Sequence, residues 1–302
     1  MRNLFLLFLL TLASLWSIAQ CPETNPYCNA ASNWIFGDSV WLKFQGDLII
    51  QNNLLIGALE ASSSISDSAG TLLFYANPER LFNATNFSKI VKGHNSSSQG
   101  SIILKNPYSD YYSLFTSDDL LDSDSIGLYY NNFSDIATFR SRNKLILRPS
   151  TEQLNAVNHK NNNDIWIGAH HAFNDSFYFF LLKDHGLLCC PKIEQIGPRY
   201  KNQSVIYTKG VSLKFNSIGN ILSSQLFSDD KVELYHFDNE QGSLAEFLSL
   251  NFQAPWTAEF SPNGKKLYVA LNLIYQYDLS LKSKMDIVNS KTALMPTWDN
   301  SI

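Results

Sequence analysis

The chain has 302 residues, a formal net charge of −4 and only 17% charged residues, so it offers no basic face for nucleic acid. Its 13% aromatic content argues against a disordered polymer and for an all-β protein with aromatic strands. The length is ample for one large domain with a sizeable core.

Arg2, the apolar residues 4–13 and the small residues Ser17 and Ala19 predict a secretory signal peptide over residues 1–19. That apolar run is too short to span a membrane, and no later run approaches such a length, so no transmembrane segment is expected in the mature chain. A lipoprotein signal acylated at Cys21 is the weaker reading, because Gln20 stands where a small residue is required. The segment 20–32 carries Cys21 and Cys28, a candidate disulfide that would close a small loop.

Strands are expected at 34–37 and 40–44, then at 64–66 and 71–76 around a turn at 67–70. The pattern recurs at 101–105 and 111–116, and again at 154–159 and 165–169. It returns at 213–222 and 258–270, where Asn216-Ser217-Ile218-Gly219 and Ser261-Pro262-Asn263-Gly264 form the turns. Third, aromatic strands follow at 127–130, 177–182, 233–238 and 274–278. Cys189 and Cys190, adjacent in sequence, read as two partly buried thiols at a junction between sheets, and no Cys-x-x-Cys spacing is present to grip zinc.

Gly219 and Gly264 lie 45 residues apart, as do Phe215 and Phe260. A repeat of roughly 40–50 residues built from short strands is the spacing of a β-propeller blade. Taking Gly70, Asp110, Asn163, Gly219 and Gly264 as equivalent gives steps of 40, 53, 56 and 45, which predicts a divergent propeller with unequal loops. Such blades cannot bury their faces alone, so the aromatic third strands should form the core between neighbours. The 24 residues after Asp278 are too few for another blade. The expectation is therefore an all-β propeller over residues 33–302, truncated at its C-terminus.

Several segments, in order, carry a resemblance: 33–37, 59–75, 97–103, 151–159, 164–170 and the Ser261-Pro262-Asn263-Gly264 hairpin. Together they resemble the exported propeller modules of gliding-motility-associated, type IX-sorted surface proteins of Gram-negative gliding bacteria. The resemblance implies six or seven blades, incomplete here, at the cell surface. The chain shows no sorting domain, which leaves the periplasm as a second destination.

No Gly-x-Ser-x-Gly elbow and no glycine-rich phosphate loop is present, and no cofactor is expected. His170 and His171 would point to opposite faces of a strand, so metal ligation is disfavoured. Glu60 and Asp67 suggest a carboxylate pair for glycan chemistry, but Asp67 reads more simply as a turn cap. The leading expectation is a non-enzymatic scaffold that binds a protein or polysaccharide at the cell envelope. Its binding face would carry Glu60, Gln99, Glu152, His159 and His170, and the last two histidines match the pattern of the resembled family. The alternatives are a propeller-type glycan hydrolase or lyase, and an inactive fragment.

Overall fold

A computed structural model describes residues 30–296 except 46, 53, 55, 120–125, 200–209 and 271–272. The predicted signal peptide and the Cys21–Cys28 pair lie outside the described residues. Among those described, the strands form six antiparallel sheets that follow one another along the chain.

The first sheet holds β1 (Asn33–Phe36), β2 (Val40–Gln45) and β3 (Asp47–Asn52). The second holds β4 (Ser63–Ser66), β5 (Leu72–Asn77), β6 (Arg80–Asn83) and β7 (Ser88–Ile90). The third holds β8 (Ser101–Lys105), β9 (Tyr112–Ser117), β10 (Leu128–Phe133) and β11 (Phe139–Leu147). In the fourth, β12 (Ser150–Asn158), β13 (Ile165–His171) and β14 (Ser176–Lys183) are joined by β15 (Gly186–Leu187) and β16 (Lys192–Gln195), both paired to β14. The fifth comprises β17 (Gly210–Phe215), β18 (Ile221–Leu226), β19 (Lys231–Asp238) and β20 (Ser243–Asn251). The sixth comprises β21 (Thr257–Phe260), β22 (Lys266–Ala270), β23 (Leu273–Asp278) and β24 (Thr292–Pro296), with a short helix α1 (Lys284–Asn289) before its last strand.

The repeated hairpins turn where their residues satisfy the backbone locally. Asp67 Oδ1 accepts the amides of Ala69 (2.9 Å) and Thr71 (2.8 Å), and Asn216 Oδ1 accepts those of Asn220 (2.9 Å) and Ile221 (3.1 Å). Gly219 (φ 75°) and Gly264 (φ 68°) supply the left-handed residue that such a turn requires. In the third and fourth sheets that conformation falls to Tyr108 (φ 48°) and Asn162 (φ 57°), not to the Asp110 and Asn163 positions expected from spacing.

From the second sheet onward, the first strands of successive sheets lie side by side and run in the same direction. Ser63 Oγ meets Ser101 Oγ at 2.7 Å where β4 and β8 begin, and Gln153 Nε2 donates to Ser212 O (2.9 Å) near the starts of β12 and β17. Past the far ends of β17 and β21, Ser217 Oγ donates to Pro262 O at 2.5 Å. This is the radial, propeller-like arrangement, in which each sheet packs its face on the next. The expected aromatic third strands supply much of the filling. Tyr130 and Phe180 pack with Phe115 of β9 between the third and fourth sheets, and Phe179 and Phe237 with Phe215 of β17 between the fourth and fifth.

Two features depart from expectation. In the first sheet a third strand, β3, joins the anticipated pair, and β1 lies beside β4 in the opposite sense: Ser62 Oγ donates to Ile35 O (2.6 Å), and Ser64 Oγ to Asn33 O. Cys189 and Cys190 are exposed, not half-buried at a junction, because they sit on the outer edge of the fourth sheet between β15 and β16.

The inter-sheet packing makes a direct prediction. Phe179 is fully buried, its ring 5.0 Å from Phe237 and 6.3 Å from Phe215. Phe179→Ala should destabilise the fold by about 3–5 kcal/mol, whereas Tyr108→Ala, at an exposed hairpin tip, should cost under about 1 kcal/mol. Urea midpoints of the two variants check this, and equal shifts would contradict it.

Candidate active site

The end at which the inner strands begin gathers polar side chains, because the chain there crosses from one sheet to the next. Residues 57–62 lead into β4, residues 91–100 into β8, and β12 opens with a distortion. Ser150 pairs with His171 and Leu154 with Ala169, so residues 151–153 face the single residue His170. A bulge of this kind re-aims side chains that a regular strand would point elsewhere. Its backbone is held by side chains: Thr151 Oγ1 donates to His170 O (3.2 Å) and accepts Gln153 N–H (3.2 Å).

Ser98 joins two carboxylates. Its backbone N–H donates to Glu152 Oε2 at 2.7 Å, and its hydroxyl donates to Glu60 Oε2 at 2.9 Å. Glu152 is only 5% exposed, whereas Glu60 is open to solvent. One carboxylate is thus fixed within the protein and the other is free to meet a small molecule. The neighbouring Gln99 plays a different part. Its Oε1 accepts Leu213 N–H (2.7 Å) and Leu154 N–H (3.3 Å), and its Nε2 donates to Leu213 O (3.0 Å). With both ends of the amide bonded to the backbones of β12 and β17, Gln99 staples three sheets together.

His170 lies behind the bulge at 0% exposure, edge-on to Phe177 with ring centroids 4.4 Å apart. Its Nδ1 is 2.7 Å from His171 O, and a carbonyl can only accept, so Nδ1 carries the proton. Burial pushes its pKa down to about 3, so the ring is neutral at physiological pH. His159 sits at the other end of β12, seven residues or roughly 23 Å from Glu152 at about 3.3 Å per residue. There its Nδ1 accepts Asn161 N–H (3.0 Å), its Nε2 donates to Glu240 O (3.2 Å), and its ring packs on Trp166. The structure therefore brings together Glu60, Gln99 and Glu152, places His170 beneath them, and separates His159.

Sequence reasoning missed the rest of the rim. His94 N donates to Ser117 O (3.0 Å), which sets the imidazole at the same end, its Nδ1 3.3 Å from the buried carboxylate of Asp119. Asp118 Oδ2 accepts the Tyr129 hydroxyl (2.9 Å) and Gly127 N–H (3.0 Å), and burial raises the pKa of that hydroxyl, with the bond to Asp118 adding to the shift. The only hint was Asp118-Asp119 closing an aromatic strand, a pattern with no chemical specificity. Among the described residues, no group of three or more His, Cys, Asp or Glu side chains is arranged to hold a metal ion, and no helix is long and apolar enough to cross a membrane.

No protein-family model matches the chain, and no curated protein matches it. Solved structures do. The periplasmic gluconolactonase PpgL of Pseudomonas aeruginosa aligns over 85% of this chain and 76% of its own, with a TM-score of 0.50 and 14% identity. A Bacteroides fragilis protein proposed to be a 6-phosphogluconolactonase aligns over 87% and 78%, with a TM-score of 0.48 and 12% identity. A Desulfotomaculum acetoxidans protein of unknown function gives 85% and 76%, 0.48 and 13%. The chain is similar to these in fold.

These findings correct the expectation of a non-enzymatic envelope scaffold. A solved structure that shares the fold, at a TM-score of 0.50, is a periplasmic gluconolactonase. The structure divides the five residues of the expected docking face. Glu152 and His170 are buried, Gln99 is committed to the backbone, and His159 is at the opposite end. Of the five, Glu60 alone remains exposed on that face.

The buried imidazole generates a pH prediction. An unfolded histidine titrates near about 6.5, whereas His170 stays neutral down to about pH 3. Below about pH 6.5 the unfolded chain binds a proton that the native chain refuses, so this contribution is complete above that pH and is lost as pH falls toward 3. Between pH 7.5 and 5 the stability gap between the parent and His170→Asn should narrow by about 2 kcal/mol. Urea unfolding at both pH values checks it, and a gap that does not change would contradict it.

Proposed function

We propose that this chain is an exported hydrolase of the lactonase type, opening the cyclic ester of a sugar-derived acid at the end where the inner strands begin. The observation that carries the reading is Ser98 standing between the buried Glu152 and the exposed Glu60. The likeness in fold to a periplasmic gluconolactonase supports it, as do the predicted signal peptide and the resemblance to exported propellers.

Ester opening needs a water activated for attack, an acyl carbon presented to it and a proton for the departing ring oxygen. Glu60 is the group placed to take the proton from water, since its carboxylate is reachable and its orientation is set by the Ser98 hydroxyl. The water oxygen then bonds to the acyl carbon, the bond from that carbon to the ring oxygen breaks, and the proton held by Glu60 passes to the ring oxygen. Glu152 acts through Ser98. By accepting the Ser98 N–H it fixes the residue that aims Glu60, and it is a positioning residue in this scheme. His170 takes no part as a proton carrier, because it is neutral and buried.

The test is hydrolysis of aldonic acid δ- and γ-lactones followed by acid release. Glu60→Gln should lower kcat/KM by about 10²–10³-fold, within the usual range for a lost general base. Ser98→Ala should cost less, about tenfold, with the loss in kcat. If the purified protein gives no rate above the buffer blank, or if Glu60→Gln matches the parent, the assignment is wrong.

A further inference from the structure

Cys189 and Cys190 occupy the short connection between β15 and β16, and both side chains are exposed. Cys190 Sγ donates to Cys189 Sγ at 3.6 Å, so the two sulfurs are in van der Waals contact without a bond. Cys190 has φ 71°, a left-handed conformation that a residue with a Cβ adopts only at a cost. The next residue is Pro191, which fixes the backbone beyond the pair. Leu188 and Ile193 on either side are also exposed, so among the described residues the thiols are open to solutes.

We propose that Cys189 and Cys190 form a reversible modification site, closed to a vicinal disulfide by exchange with a low-molecular-weight disulfide. The hydrogen bond suggests the order of attack: the Cys190 thiol proton is held by Cys189 Sγ, which raises the Cys190 pKa and leaves Cys189 to react first. Cys189 thiolate attacks the external disulfide, a new S–S bond forms, and one external thiolate leaves. Cys190 then loses its proton and attacks Cys189 Sγ, displacing the second external thiolate. Two protein thiols and one external disulfide thus yield one protein disulfide and two external thiols, and the protein loses two hydrogens.

The product is reversible for a geometric reason. Adjacent Cα atoms across a trans peptide are about 3.8 Å apart, less than the roughly 4.4–6.8 Å that most disulfides bridge. The closed ring is therefore strained and open to reduction. Closing it draws the sulfurs together from 3.6 Å and resets the backbone that leads into β16, which lies against β20 of the fifth sheet.

The experiment uses the full chain carrying Cys21→Ser and Cys28→Ser, so that the only thiols are those of the pair. The reduced protein is incubated with oxidised glutathione, then analysed by thiol titration, intact mass and peptide mapping. The expected result is loss of both thiols and of two hydrogen masses, mapped to the peptide containing residues 189 and 190 and reversed by dithiothreitol. With Cys190→Ser added, the reaction should stop at a single glutathione adduct on Cys189. Two persistent free thiols, a stable glutathione adduct on the unsubstituted pair, or a disulfide joining two chains would each overturn the proposal.

Discussion

The structure depends on apolar contact between sheets that cannot hide their own faces. Each sheet of three to five strands is a thin layer, and its aromatic rows are dry only because the next sheet lies on them. Between the fourth and fifth sheets this filling includes Trp166, Phe177, Phe179, Phe215, Tyr235 and Phe237. At roughly 25 cal/mol per Å² of apolar surface, and about 150–250 Å² for each ring, one such layer supplies a large share of a domain's gross stabilisation. Hydrogen bonds within a sheet set the strands, but this packing sets the angle between sheets. It therefore fixes where the first strands begin and what can stand at their mouths.

That constraint explains the division of labour among the polar residues. Where inner strands start, backbone groups of neighbouring sheets face one another without a common ladder, and buried amides there require partners. Gln99 and Gln153 meet that need. Gln99 bonds Leu154 and Leu213, while Gln153 Nε2 donates to Ser212 O and Ser224 Oγ, both at 2.9 Å. Once these amides have satisfied the backbone, the carboxylates of Glu60 and Glu152 are left to Ser98. Chemistry is possible at this end because structural demands are met by other side chains close by.

Much of this architecture was legible in the sequence, and the reasons are local. Hairpins such as 213–222 and 258–270 declare themselves through a left-handed glycine flanked by strand residues, and the aromatic strands through alternation. What escaped notice had no such signature. β11 (Phe139–Leu147) is an edge strand with alternating exposure, and the five residues after Phe139 are all polar or charged, so its sequence reads as loop. The candidate site was partly legible. Glu60, Gln99 and Glu152 do lie close together, but Gln99 is tied to backbone, and a glutamine that staples backbones and one that binds a ligand look alike in one dimension. His159 was misplaced for a simpler reason. It lies near His170 in sequence, but a strand carries it to the far end.

The two ends of the inner strands differ in a way that bears on function. At one end the connections are tight hairpins closed by Asp67, Asn216 and Asn263, whose side chains bond amides two to five residues onward. Such turns spend their polar atoms on themselves. At the other end the connections are longer and cross between sheets, and β12 is bulged where three residues oppose one. Irregular backbone there makes side chains available at angles that a regular strand forbids. The carboxylates of Glu60 and Glu152, joined through Ser98, lie at that end, which is why the proposed chemistry is placed there and not among the more conspicuous glycine hairpins.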